Sequence, residues 1–120
     1  MDETTMSLAR RAVACAAWRW MPGMRHTTTI KGEEWFCCRV AEKDAPREPR
    51  HPDALPDFDD PATLGCLLAL VREAWSRPAA YVAFDHEDDE WLCFAGPVEW
   101  LTGATEAEAL VVALESAVQP

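Results

Sequence analysis

A proline-rich segment constrains the fold of this 120-residue chain more than any other feature. Residues 41–59 contain Pro46, Pro49, Pro52 and Pro56 among charged side chains. Proline lacks a backbone N–H and fixes its own φ, so this segment is expected to be a loop that resists both helix and sheet. Loops of this length in small domains are typically functional or mobile. Regular structure is therefore predicted on either side of it.

The part of the chain before the loop begins with one predicted helix. Apolar residues recur at steps of three and four between Thr5 and Trp20, which is the spacing of an amphipathic helix. Pro22-Gly23 is expected to end it, because proline cannot continue the hydrogen-bond ladder and glycine permits the chain to reverse.

Two further helices have clear starting signals. Asp60 has the side chain of an N-cap, and Pro61 suits the first helical position. This helix is expected to stop before Pro78. The last helix starts at a capping box, in which Thr105 and Glu108 satisfy free backbone amides reciprocally.

Two pairs of segments rich in β-branched and aromatic residues predict two β-hairpins. The first hairpin joins residues 26–30 to 33–40, and the second joins 80–84 to 91–94. Residues 98–101 predict one short additional strand. Each hairpin needs a helix over its apolar face, because two strands alone are only marginally stable in water.

These elements predict a single α+β domain that spans residues 1–120. Their order is α-β-β-α-β-β-(β)-α. The economical arrangement is one antiparallel sheet made of the two hairpins, four to five strands in all, covered by three helices. A chain of this length buries roughly two thirds of its unfolded surface and so supports a hydrophobic core.

The charge of the chain is negative and unevenly distributed. The net charge is −10, with six basic and four acidic side chains in residues 1–40 and five basic and seventeen acidic side chains in residues 41–120. Such an excess repels nucleic acid and anionic membranes, and it attracts basic partners. No apolar run approaches the ~18 residues that a membrane span requires. We therefore expect no direct nucleic-acid binding and no membrane insertion.

Cysteine usage favours a reducing compartment. The five cysteines are an odd number without C-x-x-C spacing, and the adjacent Cys37 and Cys38 point to opposite faces of the predicted strand. A zinc site that combined them with His26 and Cys93 matches no usual ligand spacing. The start of the sequence also lacks the pattern of a secretory signal. We expect a cytoplasmic protein without a metal or another cofactor.

The second predicted hairpin carries the main candidate site. The stretch FDHEDDEW, residues 84–91, places five carboxylates in six consecutive positions between aromatic side chains. The candidate partner-binding residues are Asp85, Glu87, Asp88, Asp89, Glu90, Trp91 and Glu99. Crowded like charges lower stability, so their presence indicates a basic partner.

Three interpretations of this stretch are open. A metal site would need oxygen ligands at defined alternate positions and a glycine for the turn, and neither is present. A solvated turn is the default for a hairpin tip. In the third interpretation the carboxylates imitate nucleic-acid phosphates, and Asp57, Asp59 and Asp60 could extend the strip. Trp91 and Trp100 flank acidic positions and could anchor an arginine-rich partner.

No catalytic motif accompanies the acidic stretch. His26, His51 and His86 have no partnered nucleophile in any motif arrangement, and the sequence has no G-x-S-x-G. A Cys–His pair formed in space stays open, because such partners need not be close in sequence. The glycines are scattered singly, so no phosphate-binding loop is expected. The sequence predicts a protein that is not an enzyme.

Three stretches together resemble small phage and prophage proteins of the phage ABA-sandwich type. They are WRWMPGM (18–24), LPDFDDPATLGCLLALVREAW (55–75) and TEAEAL (105–110). The resemblance implies helices that flank a sheet and, for most members, no assigned activity. It covers the helices and the segment before the second helix, whereas the hairpins depart from the pattern. Functional differences between members are therefore expected in the hairpins.

A phage origin, which the resemblance implies, narrows the function. Small acidic phage proteins often inhibit host machinery with carboxylates in place of nucleic-acid phosphates, and anti-CRISPR proteins are one such class. The preferred hypothesis is a non-enzymatic inhibitor, monomeric or homodimeric, that binds a basic nucleic-acid-binding host protein or complex such as a CRISPR–Cas effector. The alternative is a phage accessory or oligomerising structural protein without a catalytic role.

Overall fold

The computed structural model of the protein describes residues 2–30, 33–40, 53–96 and 100–117 and confirms the predicted α+β class. The helices are α1 (Glu3–Ala14), α2 (Pro61–Ala74) and α3 (Glu106–Ser116). The strands are β1 (Arg25–Ile30), β2 (Glu33–Arg39), β3 (Leu55–Pro56), β4 (Tyr81–Asp85), β5 (Glu90–Phe94) and β6 (Leu101–Gly103). Within these described ranges, no helix is both long and apolar enough to cross a membrane.

The predicted starts of α2 and α3 are confirmed by their caps. The Asp60 carboxylate accepts a hydrogen bond from the N–H of Thr63 at 3.1 Å, and Pro61 occupies the first helical position. The Thr105 hydroxyl accepts from the N–H of Glu108 at 3.1 Å. The Glu108 carboxylate turns back and accepts a hydrogen bond from the backbone N–H of Ala104 at 3.4 Å. Both sequence signals therefore act as N-caps do in general.

α1 is shorter than the sequence predicts. Its C-cap, Cys15, is extended (φ −68°, ψ 140°), so the helix ends at Ala14 and not at Trp20. The prediction is wrong because the apolar residues after Ala14 have the spacing of a helix in the sequence, but they pack into the core from a segment that is not helical. Trp18 lies edge-on to Trp20, with ring centroids 5.3 Å apart, and to Phe58, at 6.4 Å. Burial of these rings decides the path of the chain.

The two hairpins lie in two antiparallel sheets instead of the single sheet that the sequence predicts. The strand orders are β2-β1-β3 and β4-β5-β6. A short third strand completes each hairpin, since β3 pairs with β1 and β6 pairs with β5. Three strands with a covered face are stable where two are marginal, so neither hairpin needs the other as a partner.

β3 comes from the segment that was predicted to be a loop. Leu55 and Pro56 pair with Thr27 and His26 of β1, so the expectation that the whole segment resists sheet is wrong. Proline is tolerated because β3 is the outer strand of the described sheet, where a missing N–H interrupts no further ladder. Residues 41–52 of the loop lie outside the described residues, as do residues 97–99 before β6.

α3 is the central element of the core. Its buried residues are Ala107, Ala109, Leu110, Val111, Ala113 and Leu114. It packs against α1, α2 and all three strands of the second sheet. The indole N–H of Trp75 in α2's C-cap donates a hydrogen bond to the carbonyl of Ala113 at 2.8 Å. A helix that is apolar on most sides must be enclosed by other elements. One face of the second sheet therefore packs on α3, and the other face points away from it.

A buried polar cluster joins the first sheet to α2. Asp60, which is 7% exposed, accepts two hydrogen bonds from the Arg39 guanidinium at 2.6 and 2.7 Å. It also accepts from the N–H and the hydroxyl of Thr63. The Thr63 hydroxyl oxygen in turn accepts from the N–H of Arg25 in β1 at 2.8 Å. The Arg39 pair, followed by the Thr63 hydrogen bonds, lowers the pKa of Asp60 well below its usual range.

Substitutions of Asp60 separate its capping role from its charge. Asp60→Asn keeps an N-cap side chain but removes the charge opposite Arg39, whereas Asp60→Ala removes both. We expect Asp60→Ala to lower the free energy of unfolding by roughly 1–2 kcal/mol and Asp60→Asn to lower it by less. Urea unfolding of both variants at neutral pH measures which of them loses more unfolding free energy.

The same residue has a predicted pH dependence. Because folding lowers the pKa of Asp60, the stability that its charge contributes is fully present above the unfolded pKa of about 3.9 and is lost as the pH falls below it. Between neutral pH and about pH 3, the wild type should lose more unfolding free energy than Asp60→Asn. Parallel losses in the two proteins would contradict this expectation.

The close approach of β6 to α3 requires glycine at position 103. A Cβ atom on Gly103 would overlap the backbone nitrogen of Ala109 and lie 2.9 Å from the backbone carbonyl carbon of Glu108. We expect Gly103→Ala to lower the free energy of unfolding by roughly 1–3 kcal/mol through overpacking. Gly65 in α2 has open space where a Cβ would lie, so Gly65→Ala should raise it by about 0.5–1 kcal/mol. Chemical denaturation of the two variants measures both changes in the free energy of unfolding. Equal changes in the two variants would contradict the close packing at Gly103.

Candidate functional site

The turn of the second hairpin gathers the predicted carboxylates. β4 and β5 pair from Tyr81 and Phe94 at one end to Asp85 and Glu90 at the other, and residues 86–89 connect the last pair. We call the five carboxylates Asp85, Glu87, Asp88, Asp89 and Glu90 the acidic tip. The structure brings all five to one end of the second sheet.

A local hydrogen bond and one left-handed residue shape the tip. The Asp85 carboxylate accepts from the N–H of Glu87 at 3.0 Å, a pairing typical of aspartate in turns. Asp89 has a φ of 53°, in the region that favours glycine or asparagine. The turn therefore carries a charged side chain at a position where the backbone alone would prefer glycine.

The acidic tip has no ion-pair partner among the side chains that the structure describes, whereas five carboxylates elsewhere do. The observed pairs are Arg10–Glu3, Arg11–Glu115, Arg19–Glu73, Arg25–Asp57 and Arg39–Asp60. Residues 86–89 are exposed, and Asp85 and Glu90 are half-buried. Within the described part of the chain, the tip presents uncompensated negative charge to solvent.

Two of the three aspartates before α2, Asp57 and Asp60, do not extend this uncompensated strip. Asp57 and Asp60 are 5% and 7% exposed, and both pair with arginines of the first sheet. Asp59 is exposed and lies between them in the chain. Glu99 lies outside the described residues, so its place beside the tip stays a prediction.

Three tip carboxylates lie close enough to share one cation. One oxygen each of Asp85, Asp88 and Glu90 lies within 4.8 Å of the others. Protein-bound Ca²⁺ takes roughly six to eight oxygen ligands, so this cluster would leave most of the coordination to water. The same crowding suits a guanidinium or ammonium group, which donates hydrogen bonds to several carboxylate oxygens at once.

Trp91 supports the base of the tip. It is half-buried, packs against the core and lies edge-on to Phe84 with ring centroids 5.5 Å apart. The alternation of side chains along β5 places Trp91 with Cys93 on the inner face of the sheet. The structure gives Trp91 a packing role, and its contact with a partner stays a prediction.

An aromatic surface on the same hairpin was missed by the sequence analysis, which considered Trp100 alone. Among the described residues, the exposed large hydrophobic side chains are Tyr81 (50% exposed) and Trp100 (60%). Tyr81 stacks on Phe94 with ring centroids 4.7 Å apart, and Phe94 lies 6.3 Å from Trp100. We call Tyr81, Phe94 and Trp100 the aromatic patch. Alternation along β5 separates Phe94 from the buried Cys93, but it does not show which face of the hairpin is covered.

None of the three described thiols is hydrogen-bonded to a histidine. Cys15, Cys66 and Cys93 are free thiols, and burial raises the pKa of each, that of Cys93 to about 11. The thiols of Cys15 and Cys66 donate to backbone carbonyls and not to a histidine. A raised pKa keeps a thiol protonated at neutral pH, which is the opposite of what a cysteine nucleophile requires. The side chains of Cys37 and Cys38 lie outside the described part.

Comparison with known proteins leaves the family open. No protein-family model, no curated protein and no solved structure matches the chain. The resemblance to phage proteins, which rests on three sequence stretches, stays a prediction. The acidic tip and the aromatic patch are therefore the features from which a function can be inferred.

Position 89 tests whether the tip retains charge at a cost in stability. Asp89→Gly relieves the left-handed backbone and removes one of five crowded charges, so we expect the free energy of unfolding to rise by about 0.5–1 kcal/mol. Asp88→Gly is the matched control, because it removes the same charge at a residue without a positive φ and should not stabilise. Urea unfolding measures both variants. A loss of stability in Asp89→Gly would show that the turn needs this carboxylate for its own fold.

Proposed function

We propose that the protein is a non-enzymatic inhibitor that binds a basic, nucleic-acid-binding protein through its acidic tip. The observation that carries the proposal is the contrast in charge compensation. Five carboxylates elsewhere pair with arginines, and no such pair involves the tip within the described residues. Uncompensated carboxylates on an exposed turn speed association with a cationic groove and disfavour anionic partners.

The chemistry of the tip explains how binding would inhibit. Lysine and arginine side chains that hold phosphates also bind carboxylates, by charge-assisted hydrogen bonds. Crowded oxygens such as those of Asp85, Asp88 and Glu90 offer several acceptors to one cationic side chain. A groove whose cations are engaged by the tip loses the contacts that dominate its affinity for nucleic acid. Inhibition is then competitive with nucleic acid and needs no catalysis.

The resemblance to phage proteins makes a host defence protein the first partner class. CRISPR–Cas effectors hold nucleic acid in positively charged channels and recognise it largely through its backbone. An acidic hairpin fits the charge of such a channel. The partner class rests on the resemblance, whereas the binding chemistry rests on the tip.

A phage accessory protein that forms homo-oligomers is the second candidate function. The aromatic patch favours it, because exposed apolar side chains grouped on one surface commonly mark an interface. The net charge of −10 opposes it, since each copy repels the next. Sedimentation at low and high salt separates the two candidates, because a homo-oligomer of this kind would strengthen with salt whereas binding of a basic partner weakens.

Neutralisation of the tip tests the first proposal. The variant Asp88→Asn/Asp89→Asn/Glu90→Gln removes three charges with little change in side-chain shape. Wild-type protein is immobilised, basic proteins are captured from a nuclease-treated bacterial extract, and a captured nucleic-acid-binding protein is purified. We expect this partner to bind the tip variant at least about tenfold more weakly and to release bound nucleic acid when wild-type protein is added.

A matched control separates local charge from net charge. Glu3→Gln/Asp59→Asn/Glu73→Gln changes the net charge by the same amount on other elements, and it should retain the affinity within about twofold. Equal losses in both variants would show that only net charge matters. A partner whose bound nucleic acid is not displaced would rule out competition for its groove.

A further inference from the structure

We propose that the aromatic patch and the acidic tip form one recognition surface for an extended, arginine-containing segment of the partner. This inference rests on the proposed function, because it specifies the chemistry of the partner that the tip binds. It assigns a role to Tyr81, Phe94 and Trp100, which the tip alone does not use. It also predicts which cationic residue the partner presents.

The patch lies on the same face of the second sheet as Asp85 and Glu90, the two tip carboxylates that belong to strands. In β4, Tyr81 and Asp85 are four residues apart, so both project from the outer face. In β5, Phe94 and Glu90 have the same relation and lie opposite them. The inner face, which contains Cys93, packs into the core. The patch therefore lies about 13 Å from the tip along the strands.

The patch suits a guanidinium group better than an ammonium group. Tyr81 and Trp100 are half or more exposed on either side of Phe94, so ring faces and edges are accessible. The arginine side chain is planar, stacks on aromatic rings and is more weakly hydrated than lysine. At the tip, the same guanidinium donates to several carboxylate oxygens. Arginine is thus the residue that both ends of the surface accept.

A second copy of the chain is a less suitable occupant. Each copy has a net charge of −10, and Asp85 and Glu90 of the tip share the outer face with the patch. Two such faces in contact would bring like charges into one interface, which weakens binding. Charge complementarity therefore selects a basic segment.

The geometry also specifies the spacing of the arginines. Residues i and i+4 of an extended chain point to the same side and lie about 13 Å apart, which equals the separation of patch and tip. One arginine then stacks on the rings while the other donates to the carboxylates. Arginines at i and i+3 point to opposite sides, so only one of them reaches this surface.

Three labelled peptides test the assignment. The first has arginine at i and i+4 in a background of glycine, serine and threonine, the second has lysine at the same positions, and the third has arginine at i and i+3. Fluorescence anisotropy at low ionic strength gives their affinities for the full chain. We expect the first peptide to bind about two- to fivefold more tightly than either of the others, which is the range of an exposed cation–π contact.

Variants of the patch and of the tip separate the two contributions. Tyr81→Leu and Trp100→Leu keep apolar bulk at exposed positions but remove the ring, and circular dichroism with urea unfolding verifies the fold. We expect both to abolish the preference for arginine over lysine and to leave binding of the lysine peptide unchanged. Neutralisation of Asp88, Asp89 and Glu90 should weaken the binding of all three peptides.

Each outcome decides one of the two proposals. If the leucine variants keep the full preference for arginine while the tip variant binds weakly, this inference is overturned and the proposed function stands. If tip neutralisation leaves all three affinities unchanged, the proposed function fails. Sedimentation gives the remaining outcome, because a wild-type dimer that Trp100→Leu dissociates would assign the patch to a second copy and overturn the inference.

Discussion

Enclosure of α3 is the constraint on which the rest of the structure depends. Its buried residues contact α1, α2 and the second sheet, and at Gly103 the backbone of β6 approaches it too closely for a side chain. Because α3 takes the inner face of that sheet, Val82, Cys93 and Leu101 pack toward it. The outer face carries the residues that alternate with them. The position of the candidate site is thus a consequence of packing on the opposite face.

The distribution of arginine decides which carboxylates stay available. Arg25 and Arg39 of the first sheet engage Asp57 and Asp60. The arginines of α1 and of the segment after it engage glutamates of α1, α2 and α3. Residues 80–96 contain five carboxylates and neither lysine nor arginine. The hairpin therefore cannot compensate its own charge. Carboxylates therefore form ion pairs in other parts of the fold, whereas those of the tip stay unpaired within the described residues.

Local sequence patterns predicted most of the helices and strands. Contacts between residues far apart in the sequence determined the features that were not predicted. Caps and prolines identified α2 and α3, and alternating apolar residues identified both hairpins. The end of α1 depends on Trp18 meeting Phe58, and β3 depends on Leu55 pairing with Thr27, which no local pattern records. The acidic tip was predictable because it is one continuous run. The aromatic patch was not, because it requires knowledge of which face of the hairpin α3 covers.

Packing of the fold explains neither the charge at position 89 nor the exposure of two rings of the patch. Glycine suits the backbone of Asp89 better, and Tyr81 and Trp100 lie outside the core. Crowded carboxylates lower stability, and grouped exposed rings favour unwanted association, so each feature has a cost. A solvated turn explains the carboxylates but leaves the rings without a role, and a homomeric interface explains the rings but not the charge beside them. The proposed arginine-containing partner would account for both, and for that reason we treat the two features as parts of a single surface.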